Sequence, residues 1–404
     1  MWYRYYAGFS ADFVKDVLRQ LSLGEDSRVL DPWMGSGTTL AVAGANGSMV
    51  SGLDLNPAMT VIAKGRFIAV DTESSVQPLA RQIAGHWSPT PRLLEGDLLA
   101  SWFDSQSTKR LRGLITRIDD LLVAPGSCGS TKASRMSSIA AFYYVSVFRT
   151  VTNLLRGYSS KNPTWIKKNK PGDGAIHVTA SELDEAFLSS VRHLTAFVRY
   201  RKQIPVHVRD NCEVAVGDSR CQPFEGDTFD AVITSPPYLT RLDYVVGHLP
   251  ELAVLGFNED EVGVLRASMI GTPTIAPRAT SVQLSAVPQQ ILEAVASHDS
   301  YAAKSYYAKN FRQYFEGMAE SFAELTRVTK KGAYAAIVVQ DSRFKDLHLD
   351  LASAVSNQAA QSGWTELARK DFTNPRSIAQ VNTRAHPTAR SVKPVESVLL
   401  LKAG

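Results

Sequence analysis

The sequence predicts an α/β fold, a mostly parallel sheet with helices on both faces, interrupted by a long helical insertion. Three observations predict it. "SRVLDPWMGSGTTLAVAGANG", followed by "MVSGLDLNP" and "AMTVIAKGRF", reads as strand, turn, helix, strand, helix, and a β-α-β unit implies parallel strands. Strand-like runs resume only far downstream, in "CEVAVGDSR", "DAVITSPPY", "GAYAAIVVQDS" and "VESVLLLK". Between the two groups, residues 70 to 205 carry mixed helical segments.

The elements follow in order. Phe13, Val14, Val17, Leu18 and Leu21 have the spacing of one helical face, which predicts a helix over residues 10 to 21. Val29 and Leu30 end the first strand, Gly35 and Gly37 make the turn, and Thr38 opens the next helix. The second strand ends at Asp54. The insertion contains two polar stretches, "APGSCGSTKASRMSS" and "GYSSKNPTWIKKNKPGDG". After the strand at "DAVITSPPY", residues 245 to 300 read as a smaller insertion. The amphipathic helix "YFEGMAESFAELTRVTKK" precedes the next strand, and "VESVLLLK" supplies a C-terminal one. This divides the chain into residues 1–69, an insertion over 70–205, and residues 206–404.

The 404 residues are enough for a substantial core, as one large domain with insertions or as two domains. No apolar run approaches the roughly 18 to 20 residues that cross a membrane. "MWYRYYAGFSADFVKDVLRQL" lacks the compact apolar centre of a signal peptide, so a cytoplasmic protein is expected. Cys128, Cys212 and Cys221 match no metal-ligand spacing and leave one over in any pairing; no metal site is expected. A formal charge of +5 permits a polyanionic partner without requiring one.

The chemistry-bearing residues sit where strands end, the edge at which parallel sheets bind ligands. In "DPWMGSGTT", Asp31 to Thr39, glycines let backbone approach a ligand, yet the three-glycine dinucleotide fingerprint and the lysine of a phosphate loop are both missing. The loop is therefore a ligand contact or a tight structural turn. Asp54 ends the next strand, placed to hydrogen-bond a ribose diol or to cap the following helix. Asp218 ends another strand, with an adenine amino group or a local turn as its two readings. In "DAVITSPPYLTRLDY", the strand stops at Pro236 and Pro237, which lack N–H donors and hold the chain stiff and extended.

With these pieces in order, the chain resembles the S-adenosylmethionine-dependent amino-methyltransferases of DNA. Their signature is Asp, Asn or Ser followed by Pro-Pro and an aromatic residue, and here Ser235, Pro236, Pro237 and Tyr238 match it. The resemblance covers chiefly residues 2 to 68, 210 to 256 and 305 to 402. It implies a Rossmann-like, doubly wound, mostly parallel sheet of about seven strands, with residues 1–69 as the cofactor half and 206–404 as the catalytic half. It implies S-adenosylmethionine held by Tyr6, Ala7 and Phe9, by Asp31, Pro32, Trp33, Met34, Gly35, Ser36, Gly37, Thr38 and Thr39, by Asp54, Leu55 and Asn56, and by Asp218 and Ser219. The partner it implies is double-stranded DNA, with cognate restriction or defence proteins among the expected associates.

Within that resemblance, Ser235 Oγ and the Pro236 carbonyl are acceptors for the amine of a base, and Tyr238 stacks on a base swung out of the duplex. Serine at the first position leans toward cytosine-N4; adenine-N6 is the alternative, followed by an RNA base and by a nonenzymatic nucleic-acid-binding scaffold. Methylation at cytosine carbon 5 is disfavoured because no cysteine follows a proline. Arg241, Asp243, Tyr244 and His248 are candidates for the substrate mouth, and Trp165 with Lys167 for nucleic-acid contact within the insertion, the expected target-recognition region. Arg376, Arg384, Arg390 and Lys393 form a basic stretch that reads equally as a phosphate grip or a solvated surface.

Overall fold

The computed structural model describes residues 2–3, 8–69, 73–88, 90–126, 129–158, 166–169, 174–239, 243–275, 282–373 and 395–404. Helix α1 (Ala11–Gln20) is capped by the Ser10 side chain, which accepts from the Phe13 amide. The β-α-β-α unit then runs β1 (Arg28–Asp31), α2 (Thr38–Ala45), β2 (Met49–Asp54) and α3 (Pro57–Gly65). The insertion is helical: α4 (Glu73–Gly85), α5 (Ser105–Leu122), α6 (Gly129–Arg135), α7 (Ser138–Leu154) and α8 (Ala180–Tyr200), and the short α9 (Val206–Asn211) follows it. Strands β3 (Glu213–Val216) and β4 (Phe229–Thr234) return the chain to the sheet. Helices α10 (Leu249–Leu255), α11 (Glu259–Ser268), α12 (Ala286–Ala296) and α13 (Ala308–Val328) come next. The chain ends with β5 (Thr329–Gln340), a small hairpin of β6 (Ser342–Phe344) and β7 (Leu347–Leu349), α14 (Leu351–Gln361), β8 (Trp364–Thr373) and β9 (Val395–Ala403).

The main sheet has seven strands in the order β3-β2-β1-β4-β5-β9-β8. Pairing is parallel from β3 to β5, and β9 runs antiparallel to both of its neighbours. The order turns back on itself between β1 and β4, with Val29 beside Ala231, so a crevice opens above the carboxyl ends of these strands. The doubly wound, mostly parallel sheet is the one the sequence implied.

Three apolar clusters hold the molecule together. Helices α1 and α2 cover one side of β1 and β2 through Val14, Leu18, Leu40 and Ala43, while α12 to α14 cover the β4–β5–β9 half through Phe315, Phe322 and Val355. The largest cluster is the insertion's own, built on Trp102, Phe103, Tyr143, Phe148 and Phe187. It docks on α3, whose residues Pro57 to Ala63 are all buried, because this helix has sheet on one side and insertion on the other. Its Lys64 side chain donates to the carbonyls of Ser134 and Met136.

Two details differ from the sequence reading. The helix expected to run through "TKK" ends at Val328, and Thr329 already pairs with Phe229, the β-branched Val-Thr step marking the change. The region 245–300 is no single insertion: α10 lies wholly buried in the insertion's core, whereas α12 packs with the cluster under α13 and α14. Among the described residues, no helix is long and apolar enough to cross a membrane.

Candidate functional site

A cleft enclosing about 650 Å3, part of it open to solvent, lies over the ends of β1, β2, β3 and β4. Each strand delivers one segment to it: Pro32 and Trp33, Asp54 to Asn56, Gly217 to Arg220, and Ser235 to Pro237. These segments come from distant parts of the sequence and meet because the four strands are neighbours.

The glycine loop after β1 is stiffened from beneath. Asp31 Oδ1 accepts from Thr234 Oγ1 at 2.6 Å and from the Trp33 amide at 3.3 Å, tying the ends of β1 and β4 together. Thr39 Oγ1 donates to the Ile233 carbonyl at 3.0 Å, a second tie to the same strand. The Ser36 carbonyl accepts from Arg66 Nε at 2.6 Å. Gly37 opens α2 with φ of 74°, and a Cβ there would stand 2.8 Å from Ala63 Cβ. The loop's glycine thus serves close packing of α2 on α3. Met34 is buried beneath the loop, and of residues 31 to 39 the cleft is lined by Pro32 and Trp33.

Asp54 is a hub rather than a helix cap. Its Oδ2 accepts from the Gly35 amide at 3.0 Å and its Oδ1 from the Asn56 amide at 2.8 Å, which clamps the loop after β1 to the end of β2. The cap of α3 is Asn56, whose side-chain oxygen accepts from the Ala58 amide. Burial pushes the Asp54 carboxyl up to about 7, against the two amide bonds and with help from the charge of Asp31. Asp31 itself is raised to about 6, again chiefly by burial.

These carboxyls bind protons more tightly in the folded chain than in the unfolded one. Their contribution to stability is therefore complete below about pH 4 and is lost as pH rises through about 6 to 7. Asp54→Asn is expected to flatten that decline. Unfolding free energies from urea titrations at pH 4.5 and pH 8 should differ less in the variant, by about 2 kcal/mol once water in the cleft is allowed for.

At the end of β3, Asp218 is engaged by Arg220. The guanidinium contacts both carboxylate oxygens, with Nη2 at 2.6 Å from Oδ2 and Nε at 2.8 Å from Oδ1, and Nη2 also donates to the Ser268 carbonyl at 2.7 Å. Asp218 thus stands at the cleft with a cation beside it, and α11 is fastened there by its last carbonyl. Ser219 turns inward, its hydroxyl 2.9 Å from that of Ser321. Arg220 escaped the sequence reading, although its place two residues after a strand-ending aspartate was a usable signal. Met59, Met269 and Ile270, which give the cleft apolar wall, carried no such signal.

The Ser-Pro-Pro-Tyr segment leaves β4 as a stiff arm. Ser235 Oγ donates to the Val338 carbonyl on β5 at 2.9 Å, so its one hydroxyl proton is spent and it is left as an acceptor, one lone pair of which is taken by the Tyr238 hydroxyl. Pro236 and Pro237 line the cleft beside it. The Tyr238 ring does not line the cleft; its phenol lies by Ser235 and Glu396, and burial pushes it up to about 12. Tyr244 and His248 do line it, with His248 Nδ1 at 2.9 Å from the Tyr244 carbonyl.

Among the described residues, Phe9, Asp243 and Lys167 do not line the cleft. Phe9 packs edge-on against Phe13. Asp243 is buried, accepting from the Val245 and Val246 amides and pairing with Arg266. Lys167 is exposed on the insertion, its carbonyl accepting from Trp102 Nε1. Tyr6, Ala7, Trp165, Arg241 and the basic stretch from Arg376 to Lys393 lie outside the described residues. Among the described residues, no group of three or more His, Cys, Asp or Glu side chains is arranged to hold a metal ion.

No family model matches the chain. Among solved structures, the cyclase SpnF overlays with a TM-score of 0.35 at 10% identity, covering 97% of this chain and 81% of the other. Geranyl diphosphate C-methyltransferase from Streptomyces coelicolor overlays with 0.35 at 9%, covering 98% and 78%. At such overlaps the fold assignment rests on the strand order. Sequence similarity reaches further. The chain is 24% identical over 292 residues to the type II methyltransferase M.BsoBI of Geobacillus stearothermophilus, a match spanning 67% of this chain and 55% of that protein's length. It is 22% identical over 397 residues to the type II methyltransferase M.AvaI of Nostoc, spanning 90% of this chain and 78% of that protein. At this distance, the chain is similar to type II DNA methyltransferases.

Proposed function

We propose that the chain is an S-adenosylmethionine-dependent DNA methyltransferase acting on the exocyclic amine of a flipped base, cytosine-N4 in preference to adenine-N6. The observation that carries this reading is the convergence of Ser235, Pro236 and Pro237 with Asp54 in one cleft at the switch point of the sheet. The similarity to type II methyltransferases supports it independently.

The lining of the cleft suits a nucleoside cofactor. Its walls include the apolar Trp33, Leu55, Met59 and Ile270, and carboxylates stand at the ends of β2 and β3. Asp54 spends one lone pair of each oxygen on backbone amides and keeps others for the hydroxyls of a ribose. Asp218, held by Arg220, would meet the adenine, and Trp33 would flank it. The cofactor, when bound, supplies an electrophilic sulfonium methyl. Ser235 Oγ and the Pro236 carbonyl would accept from the amine, drawing its lone pair out of the ring while the prolines hold both acceptors still. Tyr238 is assigned to the base face, which requires its ring to turn out from beside Ser235 when a base enters.

Residues 70–205 are assigned to target recognition, because they fold around a core of their own and dock on α3, the helix that follows Asp54 and Asn56. Purified protein, duplex DNA and labelled cofactor, followed by digestion and mass spectrometry of nucleosides, tests the proposal. N4-methylcytosine is expected; N6-methyladenine would move the reading to adenine, and neither product would sink it.

A further inference from the structure

We propose that Tyr244 is a positioning residue that aims the Pro236 carbonyl, by holding the only backbone N–H that the segment 236–238 possesses. The inference rests on the function proposed above. Two of the three residues are prolines, so Tyr238 alone has a donor, and it gives that donor to Tyr244 Oη at 3.0 Å. Because each proline has a fixed φ, pinning the Tyr238 amide leaves Pro237 ψ as the one soft torsion between it and the Pro236 carbonyl, and so narrows the directions that carbonyl can take.

Tyr244 is itself well anchored. Its ring lines the cleft, and its carbonyl accepts from Asn56 Nδ2 at 3.3 Å and lies 2.9 Å from His248 Nδ1. Asn56 caps α3 and follows directly on the Asp54 hub, so Tyr244 joins the catalytic arm to the strand end that would hold the cofactor. Gly271 has φ of 78°, and a Cβ there would stand 2.8 Å from the Tyr238 carbonyl oxygen, so backbone packs closely on the arm there as well. Burial keeps the Tyr244 phenol protonated, so it accepts from Tyr238 while retaining a proton to donate. Tyr244 therefore has a role distinct from substrate contact, and one that its place six residues beyond Tyr238 does not reveal.

Tyr244→Phe removes the acceptor and keeps the ring. Three measurements on the full chain test the inference: hydrogen exchange of the Tyr238 amide, binding of S-adenosylhomocysteine, and the single-turnover rate of methyl transfer. The variant is expected to exchange the Tyr238 amide about tenfold faster or more. It should bind S-adenosylhomocysteine within about twofold of wild type and transfer methyl about 10- to 100-fold more slowly, with the KM for DNA unchanged. Unchanged exchange would overturn the inference, as would an unchanged rate. A loss of S-adenosylhomocysteine affinity matching the loss of rate, or failure of the variant to fold, would mark Tyr244 as merely structural and overturn it too. If wild type transfers methyl to no duplex, the proposed function fails, and the exchange comparison still decides whether Tyr244 holds the arm.

Discussion

Replacing Ser235 with alanine is expected to slow methyl transfer to DNA by about 10²- to 10³-fold, the scale seen when one preorganised polar group is removed from a reacting centre. The Pro236 carbonyl remains, so activity should fall without vanishing. Affinity for S-adenosylhomocysteine should stay near that of wild type, because Ser235 belongs to the far side of the cleft from Asp54 and Asp218. The hydrogen bond from Ser235 to the Val338 carbonyl refines the expectation. Asparagine at this position can donate from its amide nitrogen to Val338 and still offer an oxygen to the amine. Aspartate has no proton to give and would set its charge against the carbonyl. Ser235→Asn should therefore retain more activity than Ser235→Asp, measured as single-turnover rates at saturating DNA. The reverse ranking would show that the Val338 bond does not govern how the acceptor is presented.

Gly37→Ala is expected to destabilise the fold by about 2 to 5 kcal/mol. About 1 to 2 kcal/mol of this comes from placing a side chain at φ of 74°. A further 1 to 3 kcal/mol, roughly, comes from pressing a methyl group to 2.8 Å from Ala63 Cβ. Neither partner can step aside, since Ala63 has no rotamer to change and its helix is buried on nearly every side. A lowered urea midpoint with an unchanged slope is the expected reading. Loss of activity with unaltered stability would instead assign Gly37 to ligand approach.

Much of the fold was legible because the central strands are apolar and short. "VL", "VSGL", "AVIT" and "AAIVV" are buried on both faces by helices, and such strands read as continuous hydrophobic runs. Strand β8 was missed for the converse reason. It forms the sheet's edge, most of "WTELARKDFT" is exposed, and no alternation survives to mark it. The partition of residues 245–300 was equally hidden, since α10 is recognised as part of the insertion only through the side chains it meets there.

For the site, Asp31, Asp54, Asp218 and Ser235 were legible as residues at strand ends, a position that parallel sheets give to ligands. What they do to one another was not. The clamp of Asp54 on Gly35, the Asp31–Thr234 tie and the bond from Asn56 to Tyr244 each join segments that are remote in sequence or set by a turn. Local pattern carries no information about such meetings.

The sheet order also bears on how the protein is made. Strands β1 and β2 leave the ribosome first, yet both outer neighbours, β3 and β4, are translated only after the whole insertion. At ordinary elongation rates of about 5 to 20 residues per second, the pair waits roughly 10 to 35 s with both edges open. Helical segments rich in local contacts fold far faster than parallel sheets close. The insertion's helices can form in that interval, but their shared core closes only when α10, which follows β4 in the chain, takes its place in it.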